Sequence, residues 1–258
     1  MALADQVSSG WKLDESSGDA VDVKGVNTLA NMSVSYANTA PAIIGNYAVF
    51  SDAKLSKAGI FGFAVGATVS ISFWVYFSGT TSQCIIGRRT GAGGGWSVVL
   101  ENSTTFRWAV ADTVGDKLIT GTGVTFSTNT WYHIVLTTTS LGTATSSKIY
   151  VNTTELSLAQ TVNDSVTPNY AGIAFNIGRW DDDTKKLGGR VDEVYIFDSY
   201  DCTSSDVAVL YNGGAGSQYP FAGAGPAHLK KISGVAIANV KKISGVAIAN
   251  VKVVAGVT

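Results

Sequence analysis

At 258 residues the chain is long enough to bury a substantial core, as one large domain or two ordinary ones. Hydrophobic residues make up 45% of it and charged ones 14%, with 29 glycines among abundant Thr, Ser and Val, a composition that favours strands and tight turns over helices. The net charge of -1, without any basic run, removes the electrostatic term on which nucleic-acid binding depends and offers nothing to an anionic membrane surface, so neither is expected as a partner.

In chain order, the opening MALADQVSSG has neither the basic start nor the apolar run of a secretory signal, and no stretch of about 18 apolar residues follows that would span a bilayer. The expectation is a product made in a cytoplasm. Residues 68–77, TVSISFWVYF, put Val69, Ile71, Phe73 and Val75 on one side and Ser70, Ser72, Trp74 and Tyr76 on the other, the alternation of a strand with one buried face. Residues 95–101, 106–111, 131–139, 147–152 and 190–198 repeat that pattern, and Gly/Ser/Thr/Asn clusters such as SGTTSQ, GAGGG and STNT separate them as turns. Trp11, Trp74, Trp108 and Trp131 fall inside strand patterns and read as core or sheet-face residues. Only residues 204–214 read as a helix, with Ser204 or Ser205 as its cap, Val207, Leu210 and Tyr211 on its apolar side and Gly213 as its stop. Many short strands with long connections predict a two-sheet sandwich, which needs no helical layer. It should close near residue 220, with residues 221–229 as a linker of small residues. Cys84 and Cys202 lack CxxC spacing, leaving either one long-range disulfide or two buried thiols.

An ordered set of segments carries a resemblance. WKLDESSGDAVD (11–22), YAVFSD (47–52), TVSISFWVYF, WYHIVLT, KIYVN, FNIGR (175–179), GGRVDEVYIFD (188–198) and VLYNGG follow one another as in the laminin-G-like, concanavalin A-like jelly-roll domains. The resemblance covers roughly residues 8–220. It implies an all-β fold of two antiparallel sheets, carbohydrate or protein binding at one rim and, in some members, a calcium ion.

Catalytic chemistry is sought and not found. Glycoside hydrolases of this fold place carboxylates as Glu-x-Asp-x-x-Glu on one strand so that acid and nucleophile flank the glycosidic bond, and none of Glu15, Glu101, Glu155 and Glu193 has that spacing. Asp192 and Glu193 are adjacent, so on a regular strand they point to opposite faces and cannot share a substrate. Of the two histidines, His133 sits inside WYHIV, where the resemblance implies a structural His, and His228 in the linker; neither has an evident partner, leaving no nucleophile with a base. GAGGG lacks the Lys-Ser/Thr of a phosphate cradle and reads as a hairpin loop. The chain is expected not to be an enzyme.

The densest polar feature is RWDDDTKK. Asp181, Asp182 and Asp183 are the oxygen ligands a hard cation such as calcium takes, and Trp180 beside them offers the aromatic face on which sugars stack. The competing reading is a solvated loop neutralised by Lys185 and Lys186. Asp14, Asp19 and Asp22 form a second acidic group in the first loop. Arg88 and Arg89, with Trp96 beyond GAGGG, are candidate contacts for acidic sugars; the plainer reading puts Trp96 in the core and the arginines in solvent.

The chain ends on a duplication. Residues 230–240 and 241–251 both read KKISGVAIANV, and KVVAGVT follows. Gly234 and Gly245 among β-branched residues disfavour a helix and favour strands that bend at Ser-Gly. Strands this short bury too little to stand alone, and their unpaired edges recruit other strands. Ile232, Val235, Ile237, Val240, Ile243, Val246, Ile248 and Val251 are the expected anchoring or oligomerisation positions. The tail resembles the short repeats at the ends of bacteriophage tail, fibre and capsid-associated proteins. The expectation is therefore a non-enzymatic virion component: a homo-oligomer bound to other virion proteins, with a jelly roll facing host surface glycans. The alternative is a bacterial carbohydrate-binding or adhesion module.

Overall fold

The computed structural model describes residues 2–221 and, beyond them, four two-residue strands; it divides the chain into two units, Met1–Phe221 and Ala222–Thr258. The first unit runs α1 (Leu3–Gln6), β1 (Ser9–Trp11), β2 (Ala30–Met32), β3 (Ser35–Ala37), β4 (Tyr47–Ser51), β5 (Lys54–Ala58), β6 (Val69–Phe77), β7 (Gln83–Arg89), β8 (Gly95–Asn102), β9 (Thr105–Ala111), β10 (Asp116–Thr122), β11 (Trp131–Thr138), β12 (Ser147–Val151), β13 (Thr154–Glu155), β14 (Ser157–Asn163), β15 (Ala174–Ile177), β16 (Gly188–Asp198) and α2 (Ser204–Tyr211). One sheet has the order β13-β12-β11-β6-β16-β4-β3, with β1 beside β16; the other is β14-β10-β9-β8-β7-β15-β5-β2. The pairings are antiparallel, and the two sheets face each other as an all-β jelly-roll sandwich.

The alternation in the sequence sets the core. Val69, Ile71, Phe73, Val75 and Phe77 of β6 enter it from one sheet and meet Trp96, Val98, Phe106, Trp108, Phe175 and Ile177 from the other. Fully burying side chains of this size stabilises the fold by about 1.5–3 kcal/mol each.

The expectation of one buried face per strand is corrected. Every residue of β6 is buried, because a second apolar cluster covers the outer face of its sheet: Val7, Val135, Tyr150, Tyr195, Phe197, Cys202, Val207, Leu210 and Phe221. The sandwich therefore does carry a thin outer layer, made of α2 and the segment that runs to Phe221. The cap of α2 is also corrected. Thr203 is the N-cap: Asp206 N donates to its Oγ1 at 3.3 Å while Thr203 N donates to Asp206 Oδ2 at 2.8 Å, a reciprocal arrangement that satisfies two otherwise orphaned donors. At the other end the left-handed residue is Asn212 (φ 48°), followed by Gly213 (φ 63°). Cys84 and Cys202 are both free and buried, and desolvation pushes both thiols up to about 12, so neither is a ready nucleophile.

In the second unit, β17 (Lys231–Ile232) pairs antiparallel with β18 (Val235–Ala236), and β19 (Lys242–Ile243) with β20 (Val246–Ala247). Ile232 lies opposite Val235 and Ile243 opposite Val246 across those pairings. Ile237, Val240, Ile248, Val251 and the expected linker after Phe221 lie outside the described residues. No helix among the described residues is long and apolar enough to cross a membrane.

Candidate functional site

Loops gather where β7 ends and β8 begins. The β7–β8 turn (residues 90–94) sits against two neighbours: Asp181 N donates to Arg89 O at 2.8 Å and Gly91 N donates to Asp182 Oδ2 at 2.5 Å. Gly93, Gly94 and Gly95 all have φ near +100°, and a Cβ on Gly95 would stand 1.7 Å from Arg88 O, so the glycine run is required by backbone geometry. Residues 60–65 and 164–173 form the neighbouring wall. Between them lies a groove of about 300 Å³ lined by Gly62, Ala64, Val65, Val166, Thr167, Pro168 and Tyr170.

Arg88 builds this wall instead of lining it. Its Nε donates to Ile173 O at 2.9 Å, Nη1 to Ile60 O at 3.0 Å and Nη2 to Tyr170 O at 3.0 Å, and the guanidinium lies 4.8 Å from the Tyr170 ring centre. Three of its five N–H donors go to carbonyls and the side chain is buried in the wall, which corrects the reading of Arg88 as a ligand contact. Arg89 is likewise buried, not solvated: Nη2 pairs with Asp116 Oδ1 at 2.6 Å, and the guanidinium stands 5.0 Å from the Trp180 ring centre. Trp96 is fully buried, with Nε1 donating to Phe61 O at 2.7 Å. It is a core residue, as the plainer reading had it.

Trp180 is half-buried, with Lys185 Nζ 5.4 Å from its ring centre as well as Arg89. The three aspartates beside it do not converge. Asp181 accepts from Ala174 N at 2.8 Å and Asn176 Nδ2 at 3.0 Å. Asp182 accepts from Gly91 N and, at 2.6 Å, from Thr184 Oγ1; burial pushes its pKa up, but these hydrogen bonds outweigh it and hold the carboxyl below its usual range. Asp183 pairs with Lys54 Nζ at 2.9 Å and Arg179 Nε at 3.0 Å. The carboxylates are spent on backbone amides, Thr184 and protein cations, with Lys54 Nζ between Asp183 and, at 3.7 Å, Asp181, so the expected calcium set is corrected to a self-neutralised loop. Among the described residues, no group of three or more His, Cys, Asp or Glu side chains is placed to hold a metal ion.

The first-loop aspartates are likewise structural. Asp22 accepts from Gly10 N (2.9 Å), Lys24 N (3.1 Å), Val26 N (3.2 Å), Asn27 N (2.8 Å) and Ser9 Oγ (3.3 Å). Asp19 accepts from Asn31 N and Asp14 from Asn46 N.

The Asp192–Glu193 pair behaves differently from a regular strand. A bulge interrupts the β16–β6 register there and Glu193 has φ 48°, so simple alternation fails. Both carboxyls are buried, at 0% and 1% exposure. Asp192 Oδ2 accepts from Ile44 N at 3.3 Å; Glu193 accepts from the Tyr195 hydroxyl and, at 2.9 Å, from Gln218 Nε2, which also donates to Asp14 Oδ2. Desolvation, with the Glu193 charge behind it, raises Asp192 well above the carboxylate range, and desolvation raises Glu193 to about 7. Such values suit a general acid, but a sealed pair admits no glycosidic bond between its oxygens. His133 is sealed too: Nε2 lies 3.0 Å from Ser72 Oγ and burial pushes it down to about 3.

Residues 45–208 match the family model described as the concanavalin A-like lectin/glucanases superfamily. Among curated proteins no sequence matches. Of solved structures, the binding domain of Paraclostridial mosquitocidal protein 1 superposes with a TM-score of 0.61 at 14% identity, over 82% of this chain and 53% of that one. Domain 4 of a GH43 extracellular arabinanase from Geobacillus stearothermophilus, in complex with arabinotriose, gives 0.58 at 17% identity over 82% and 98%. A botulinum neurotoxin type C, whose cell entry depends on interaction with two ganglioside molecules, gives 0.55 at 16% over 81% and 51%. The chain spans about half the length of these toxin structures and nearly all of the arabinanase domain; the likeness is one of fold.

Proposed function

Because the chain belongs to the concanavalin A-like lectin/glucanases superfamily, we propose that it is a non-enzymatic carbohydrate-binding module whose C-terminal repeats attach it to a larger particle. The observation that carries the binding half is the groove between residues 60–65 and 164–173. Its walls are apolar and aromatic, it is held rigid by Arg88, and Trp180 lies beyond the same arginine pair. A mostly apolar groove with an aromatic ring, Tyr170, in its wall is suited to a sugar. The burial of the adjacent Asp192 and Glu193 carboxyls supports binding without hydrolysis at that pair.

The particle half rests on the duplicated KKISGVAIANV. Two-residue hairpins expose more unpaired backbone than they satisfy, and assembly with further strands, from other copies of this chain or from virion proteins, completes them. We place the protein on a bacteriophage virion, with its jelly roll outward toward host surface glycans. A glycan array probed with the full chain tests the first half: binding to a defined sugar set, lost in Ala64→Phe, is expected, and an array blank at high protein concentration removes it. Mass-spectrometric identification of the chain in purified phage particles tests the second, and its consistent absence from them defeats the virion reading.

A further inference from the structure

A second surface stands apart from the loop groove, on the outer face of the other sheet. Registers place Ser35 opposite Val49, Val49 opposite Arg190, Arg190 opposite Tyr76 and Tyr76 opposite Trp131. Facing residues in adjacent antiparallel strands share a side of the sheet, so these five form one row across β3, β4, β16, β6 and β11 with Arg190 at its centre. The next row inward, Tyr47, Asp192, Trp74 and His133, is buried, and there Trp74 stacks on Tyr211 of α2. The outer layer stops at that row, leaving Arg190 and Trp131 half-exposed beyond it.

The Arg190 guanidinium lies 4.4 Å from the Tyr76 ring centre and 4.7 Å from that of Tyr47. Trp131 closes the third side, 5.6 Å from Tyr76 and 5.8 Å from Tyr47, its Nε1 anchored to Pro41 O at 2.8 Å. The two tyrosine rings thus hold the cation in place, with Trp131 packed behind them, and among the described residues no acceptor meets it; Nη1 is buried without a partner. Asp192, two residues along the same strand face, has turned its oxygens to Ile44 N and Glu193 N. An immobilised, partly desolvated guanidinium without a counter-charge is costly unless something supplies one.

The floor beside it is open. Gly188 lies two residues before Arg190 and so on the same side of β16, paired with the exposed Ser51, and a Cβ built on Gly188 meets nothing within 4 Å. A flat shelf of small residues, an aromatic wall and a forked donor is the geometry that receives a pyranose ring bearing a carboxylate: the ring packs on the indole while the acid takes two parallel N–H bonds.

We propose that Arg190, Trp131, Tyr76 and the Gly188 shelf form a second saccharide site, specific for carboxylate-bearing sugars. It is independent of the groove between residues 60–65 and 164–173.

The test is calorimetric titration of the full chain with trigalacturonate, sialyllactose and lactose, in low salt. Binding of either acidic probe at least tenfold tighter than lactose is expected, and which acid binds identifies a uronic or a sialic source. Arg190→Gln should weaken that binding at least tenfold. Gly188→Leu, which fills open space without touching the fold, should do the same, so the result stands even if the arginine variant misfolds. Ala64→Phe should leave it unchanged, which separates this site from the groove. Absence of binding to both acids, lactose binding equally well, or acid binding that survives Gly188→Leu overturns the proposal.

Discussion

Single side chains in this protein are committed to backbone. Asp22 serves five donors across residues 9–27, and Asp22→Ala would leave several of them unpaired in a buried turn. A loss of about 3 kcal/mol follows from the usual cost of such groups, measurable by urea denaturation. Arg88→Gln should cost about 2 kcal/mol by the same reasoning, as its three carbonyls lose charge-assisted donors. Two buried groups set opposing pH slopes. His133 sits at about 3 in the fold against 6.5 normally, so its contribution is complete above pH 6.5 and is lost as pH falls toward 3. Glu193 sits at about 7 against 4.5, so its contribution is complete below pH 4.5 and is lost as pH rises through 7. Glu193→Gln removes the second slope. The drop in melting temperature between pH 5 and pH 8 should be smaller in that variant than in the native chain; an equal or larger drop would mean that Glu193 does not set the slope.

At the scale of elements, the outer layer is what the alternation hides. Ser70 and Ser72 of β6 look like solvent-facing residues, yet Ser70 Oγ bonds Thr137 Oγ1 at 2.7 Å, Tyr200 O at 2.7 Å and, as acceptor, Cys202 N at 2.8 Å. A serine that is hydrogen-bonded under cover and one that is hydrated are the same letter, so the buried second face is illegible locally. The helix itself was legible from Val207 and Leu210, but its cap slipped to Thr203 because only there does Asp206 fall at the reciprocal position. Leu210→Ala should destabilise by about 2–5 kcal/mol, as large-to-small changes in a packed cluster do. The segment after α2 is a strap: Tyr219 N donates to the Tyr195 hydroxyl at 2.9 Å, and Phe221 meets the Tyr195 ring edge-on at 4.8 Å. A chain ending after Asn212 should melt well below one ending after Phe221, read by circular dichroism.

Over the whole molecule, the period-2 segments and their order were enough for the sandwich, because a hydrophobic face repeated in many short strands has few ways to be buried other than against a second such face. The candidate site was legible only in part. RWDDDTKK is legible as a dense polar run, but its three aspartates are spent on backbone amides, Thr184 and the cations Lys54 and Arg179, and the direction of a loop side chain depends on which strands flank it. Arg190 carried no sequence signal; it became visible once five strands lay in register.

Composition and alternation therefore determined the fold class and the aromatic core, since each depends on apolar pattern summed along the chain. Tertiary structure alone decided which charges are free. Whether Arg88 or Arg190 can meet a ligand turns on the carbonyls and rings brought to it by residues up to about 140 positions away, and electrostatic pairing is a property of distance in space that the order of residues does not encode.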